Sequence, residues 1–149
     1  MHIRHRNRCE KGLTRRRGVA AIYVALIIVG LVGFAALATD IGRVQLARTE
    51  LQGAADAAAR AGAWQIPDLR FDQAISDAVA VAAANAALGE SVALDAPVDI
   101  QFGVWSPTAR TFSVRTGADR AEANAIRVTA RRVTDGSGVT HPVDLYFAP

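Results

Sequence analysis

Between Gly18 and Thr39 the chain reads GVAAIYVALIIVGLVGFAALAT, a run of 22 residues without a charge. As a helix rising about 1.5 Å per residue it would extend roughly 33 Å, close to the thickness of bilayer hydrocarbon. The pattern then changes from uniformly apolar to striped. Val44, Ala47, Leu51, Ala54, Ala55, Ala58, Ala61 and Gly62 recur at steps of three and four, while Gln45, Thr49, Gln52, Asp56 and Arg60 fall on the other side. No proline interrupts Val19 to Gln65, and alanine is the strongest helix former. The pattern predicts one continuous helix of about 45 residues, roughly 68 Å, that crosses a membrane and continues as a rigid spine. The small side chains of the stripe would let another helix or a sheet approach closely. Val44, Leu51, Ala54, Ala55 and Ala58 are therefore the candidate packing face, with Arg48 an imperfection at its edge. Asp56 and Arg60 are spaced for an i,i+4 ion pair worth a few tenths of a kcal/mol.

Beyond Pro67 a second helix is expected, with Asp68 as its cap, Phe71, Ile75, Val79, Ala82 and Ala86 at helical spacing, and Gly89 as its stop. After Pro97 the period becomes two: Val98, Ile100, Phe102 and Val104 alternate with Asp99, Gln101, Gly103 and Trp105. Residues 106–110 read as a turn into a partner strand with Phe112 and Val114. A loop over 116–124 leads to a third strand with Ile126, Val128 and Ala130, then a turn at 134–138 and an edge strand over 141–149. The expected class is α+β: a single transmembrane helix continuing into a long amphipathic spine, a second short helix, and a small antiparallel β-meander. The expected divisions are a basic tail over 1–17, a transmembrane helix over 18–39, a helical stalk over 40–66 and a small α+β domain over 67–149.

Charge orients this plan. The formal net charge of +3 is not spread over the chain. Arg4, Arg6, Arg8, Lys11, Arg15, Arg16 and Arg17 precede the apolar run against a lone Glu10, whereas the rest of the chain carries more acids than arginines. A nucleic-acid domain would array its cations along a folded face with aromatics between them, so nucleic acid is not an expected partner. The positive-inside rule instead places the tail in the cytoplasm and the remainder across the inner membrane, with Arg17, Asp40 and Arg43 marking the membrane boundaries and Tyr23 at an interfacial level. A cleavable secretory signal, which would release a secreted binding domain, is the rival reading of the tail, the apolar run and the triplet Ala36-Leu37-Ala38. The run is longer than an ordinary signal core and flows into a helical pattern, which favours an uncleaved anchor. The one cysteine, Cys9, lies in the basic tail, where it can form no intrachain disulfide and is not placed as a lipid acceptor.

The arginine run, Gly18, the apolar span, ATDIGR (38–43) and LQGAADAAARAGA (51–63) together resemble the N-terminal region of TadG-like proteins of the Flp/Tad pilus-assembly family. FGVWSP (102–107), FSV (112–114) and NAIRVTARR (124–132) look like the strand region that follows in that family. The resemblance implies an envelope protein of a bacterial tight-adherence pilus and secretion system, tied to surface attachment and biofilm growth. Its implied partners are other pilus-assembly or pseudopilin-like proteins, with self-association, and it makes Gln52 and Asp56 family-motif polar positions. Longer members continue into further sequence, sometimes a von Willebrand factor A domain; this sequence ends at Pro149, so an adhesive module there is not expected. DGSGV (135–139) matches only part of a DxSxS metal-site pattern and reads as a turn. Related pilins are cut after a glycine and carry glutamate at mature position five. Gly18 fits the first requirement, but Tyr23 stands where the glutamate would be, which favours an unprocessed membrane protein over a processed pseudopilin.

Catalytic chemistry is not expected. Asp40 and Asp56 would lie about 24 Å apart along one helix and cannot share a proton or a metal. His141 has no cysteine or second histidine near it in sequence, and Ser106, Ser113 and Ser137 lack a nucleophile-elbow context. There is no glycine-rich phosphate loop, and Trp64 and Trp105 read as packing residues. The sequence therefore predicts a structural component with no cofactor, no metal and no small-molecule substrate.

Overall fold

In a computed structural model of the protein the described residues are 14–132, 143 and 145–147, with side chains described from Gly18 onward. Helix α1 runs Thr14–Ala63, a single helix as the proline-free sequence predicts. The chain divides into two units, Met1–Thr39 and Asp40–Pro149. In the first, Val19, Ile22, Tyr23, Leu26, Ile27, Val29, Leu31 and Phe34 are all more than half exposed. The large apolar side chains of the run are thus exposed, the condition of a helix whose cover is something other than its own chain. Among the described residues one helix is long and apolar enough to cross a membrane.

The second unit is α+β. The end of α1 is followed by α2 (Phe71–Ala83), a hairpin of β1 (Ala86–Ala87) and β2 (Glu90–Ser91), and a one-turn helix α3 (Ala96–Asp99). Strands β3 (Ile100–Ser106) and β4 (Thr111–Val114), a 3-10 segment Gly117–Glu122 and β5 (Ala125–Val128) complete the described elements. Residues 64–70 turn the chain sharply. The N–H groups of Gln65 and Ile66 donate to the carbonyls of Gly62 and Ala63, and Arg70 donates to Gln65, so the carbonyls freed at the helix end are taken up at once.

Three sequence expectations are corrected here. Asp68 is not the cap of α2: the capping position is Arg70, which makes no side-chain cap bond, because Leu69 adopts φ 57° to complete the turn and shifts the helix start. Gly89 does not stop α2, which ends at Ala83. Leu88 (φ 51°) and Gly89 (φ 83°) instead form the two-residue connection of the β1–β2 hairpin, where successive positive φ values match the twist of the strands. Val98 does not open the strand; it lies in α3 and is half exposed, while β3 begins at Ile100.

The larger sheet is antiparallel with order β4-β3-β5. β3 pairs with β4 through Gly103↔Val114 and Trp105↔Phe112, and with β5 through Phe102↔Ile126 and Gln101↔Arg127. After β4 the chain passes through the 3-10 segment and returns to the other side of β3, so β5 does not extend the meander beyond β4. The strand expected over 141–149 and the turn at 134–138 fall largely outside the described residues, as does His141.

The core is built from very small side chains. Among the described hydrophobic residues those at 0% exposure are Ala58, Ala74, Ala78, Ala82 and Ala87, all alanine. Around them pack Ile66, Val92, Leu94, Ile100 and Phe102, flanked by half-buried Leu51, Phe71, Ile75, Val79 and Ile126. Phe71 meets Phe102 edge to face with centroids 5.0 Å apart, joining α2 to the sheet. Asp99 is buried at the start of β3 and is satisfied on both oxygens: Arg131 Nε donates at 2.9 Å and the Asp95 N–H at 2.9 Å. It joins α3 to the chain after β5.

Candidate functional site

Of the residues on α1 singled out by spacing, Ala54 and Ala58 are buried, Val44, Leu51 and Ala55 are half-buried, and Gln52 and Asp56 are exposed. Asp40, Ala47, Ala54, Ala58 and Gly62 form the buried line, at steps of seven, seven, four and four. These steps keep to one face of the helix. At Gly62 the neighbours arrive at their closest. A Cβ there would stand 3.0 Å from the Ala74 carbonyl oxygen, 3.6 Å from Ala78 Cβ and 2.7 Å from Ile126 Cδ1. Helix α2 and strand β5 both reach the spine at this point because it has no side chain. Asp56 and Arg60 do not make the ion pair their spacing allows; among the described residues the ion pairs are Arg115–Glu122 and Arg131–Asp99. Arg17 lies within α1, but its side chain is outside the described residues.

Asp40 is engaged in a way its place in the sequence did not announce. It is buried, with 5% exposure, and its two carboxylate oxygens accept the N–H groups of Tyr146 and Phe147 at 3.0 and 3.2 Å. Arg43, one turn on, holds its guanidinium 4.2 Å from the centre of the Tyr146 ring. A carboxylate accepting two backbone N–H groups makes charge-assisted bonds, and the stacked guanidinium fixes the ring beside it. The pair Asp40 and Arg43 therefore fastens Tyr146 and Phe147 to the first turn of the second unit.

Other fastening residues were also not singled out. Glu50 accepts the Leu88 N–H at 2.6 Å and so ties the tip of the β1–β2 hairpin to α1. Asn124 uses its side-chain amide as a short strand: Oδ1 accepts from Trp105 N–H at 2.7 Å, and Nδ2 donates to the Trp105 carbonyl at 3.3 Å. It extends the pairing of β3 by one residue beyond the register of β5. Glu50 carried no local signal, because the N–H it accepts lies 38 positions away. Asn124 carried no local signal, because its role depends on which strand lies beside β3.

A groove of about 350 Å³ opens between α1 and the free edge of β5, lined by Ala55, Asp56, Ala59, Trp105, Phe112 and Arg127 among others. Trp105 is 44% exposed at its wall, and the Arg127 guanidinium lies 4.7 Å from the centre of the Phe112 ring. Among the described residues no strand pairs with the outer edge of β5. Its backbone groups and the aromatic wall thus form a surface able to take a protein segment.

Residues 18–65 match the family described as "Putative Flp pilus-assembly TadE/G-like", and residues 57–149 match the one described as "Putative Tad-like Flp pilus-assembly". No curated protein and no solved structure matches the chain. The matched families are pilus-assembly components and not known enzymes. Since the second match alone spans more than half of the residues, the chain belongs to the Tad-like Flp pilus-assembly family, and this membership supports a role in pilus assembly.

Proposed function

We propose that the protein is a single-pass, membrane-anchored structural component of a Tad/Flp-type pilus or secretion system, acting through protein–protein contacts in the bacterial envelope. The observation that carries this reading is the uncharged run Gly18–Thr39, helical, with its large apolar side chains exposed, and preceded by an arginine-rich tail. A helix of that length and polarity finds its cover in a bilayer, and the cation excess on one side keeps the tail in the cytoplasm. The second unit then stands outside the inner membrane. Its working surface is the groove beside β5, and the partner is another component of the pilus-assembly apparatus.

Two measurements test this. A periplasmic-activity reporter fused after Pro149 is expected to be active, and activity only in the cytoplasm would reverse the orientation. The mass of the mature chain from membranes is expected to include the arginine tail. A species beginning at Val19 would make the protein a processed pseudopilin, and one beginning near Thr39 a secreted domain. For the groove, a photo-crosslinking residue in place of Trp105 is expected to capture another pilus-assembly protein in cells. Ala55→Leu, which fills the groove from the α1 side, should abolish that adduct while leaving the fold intact.

A further inference from the structure

We infer that Tyr146 and Phe147 are a second, interfacial membrane anchor: their rings lie in the headgroup region of the same bilayer that holds the apolar run. This rests on the anchoring proposed above. Asp40 is the residue that follows Thr39, the last of the uncharged run, so in an inserted chain it stands where hydrocarbon gives way to headgroups. The Tyr146 and Phe147 N–H groups are bonded to that carboxylate, which fixes both residues at its level. Their side chains are nevertheless turned outward, 68% and 65% exposed, with Ile41 at 52% on the adjoining turn of α1.

An aromatic pair held by its backbone and left bare by its own fold needs an outside cover. A water-facing site gives no return for exposing a phenyl ring, whereas the headgroup region favours a ring with an apolar body, and tyrosine with its polar tip above all. Arg43 adds the matching charge. Its guanidinium sits over the Tyr146 ring, a cation at the depth where phosphate groups lie. Asp40 itself is buried, with its carboxylate turned to the two N–H groups. The occupant of this surface is lipid.

The test uses the full chain reconstituted in phosphatidylcholine vesicles, with Trp64→Phe and Trp105→Phe and a single tryptophan placed by Phe147→Trp or by Phe34→Trp. The Phe147→Trp protein is expected to show blue-shifted emission that is quenched strongly by lipid brominated near the headgroup and weakly by lipid brominated at the chain ends. The Phe34→Trp protein, five residues or about 7.5 Å inside the end of the run, is expected to shift the balance of quenching toward the chain-end bromines. Quenching of the Phe34→Trp protein with none at Phe147→Trp would overturn the interfacial anchor and leave the transmembrane anchor standing. Absence of quenching in both would overturn both. A photo-crosslinking residue at position 147 of the otherwise native chain gives a readout that does not depend on the tryptophan replacements. A lipid adduct in its mass spectrum supports the assignment, and its absence under conditions where position 34 is labelled overturns it.

Discussion

Ala58→Leu is expected to lower the stability of the second unit by about 1–3 kcal/mol, the usual cost of forcing extra methylenes into a filled core. Ala58 is at 0% exposure on the face of α1 that shares its core with Ala74, Ala78 and Ala82, themselves fully covered. Four carbon atoms cannot be housed there in place of one without moving α2 outward, and α2 is tied back at two points. Gln65, in the turn that follows α1, donates to Asp77 of α2 at 2.8 Å, and the Phe71 ring is lodged against Phe102. Leucine is nearly as good a helix former as alanine, so propensity cannot account for a loss of this size. Ala55→Leu enlarges a neighbour on the same helix but at the half-buried wall of the groove, where the added atoms have open space. It is expected to cost well under half as much. Thr49→Ala and Arg60→Ala, both on exposed positions, should stay within about 0.5 kcal/mol of the parent. Thermal unfolding of the four detergent-solubilised proteins measures the order directly. Equal midpoints for Ala58→Leu and Arg60→Ala would show that the stripe is an alanine-rich stalk with no tight partner.

The spine was legible because two strong local signals agree in it: no proline from Val19 to Gln65, and a switch from uniform to striped polarity at Asp40. Neither depends on anything distant in the chain. Strands β3, β4 and β5 were legible for the same reason, since alternation of period two is local. The β3–β4 hairpin was legible too, whereas the partner of β5 was not. β5 lies against β3, and nothing within residues 125–128 says whether β3 or β4 is its neighbour; that is decided by the 3-10 segment and by Asn124, whose amide binds the Trp105 backbone.

The boundaries that moved also have physical causes. Leu69 and Leu88 take positive φ values that a leucine rarely adopts, at 57° and 51°. A reading by residue type assigns turns to Asp68 and Gly89 and passes over their neighbours. Leu88 holds its conformation with its N–H on Glu50, a contact 38 positions away in sequence. Asp40 illustrates the same limit. Its place at the end of the apolar run makes it a boundary marker by composition, while its bonds to Tyr146 and Phe147 span more than a hundred residues and are invisible to any local pattern.

Gly103→Ala, the addition of one carbon atom, is expected to destabilise the second unit by about 1–3 kcal/mol, and Gly103→Val by more. The reason is space and not backbone freedom, because the φ of Gly103 lies outside the left-handed region. A Cβ at this position would overlap the Ser113 carbonyl oxygen and stand 2.7 Å and 3.0 Å from Phe112 Cζ and Cε1. The ring could be turned aside, at the cost of its stacking with the Arg127 guanidinium. The carbonyl belongs to the backbone of β4, so it can yield only if β4 draws away from β3. In an open strand, replacing glycine by alanine or valine would help, since glycine is among the weakest strand formers on a scale spanning about 1 kcal/mol. The sign of the effect therefore separates the two accounts. Removing the ring with Phe112→Ala should recover part of the loss in a double variant, by about 0.5–1.5 kcal/mol, and the remainder should persist because the Ser113 carbonyl is still present. Unfolding by urea across the four-member cycle measures both quantities. A Gly103→Ala protein as stable as the parent would mean that β4 does not approach β3 closely at Gly103, and the wall that Trp105 and Phe112 give the groove would lose its support.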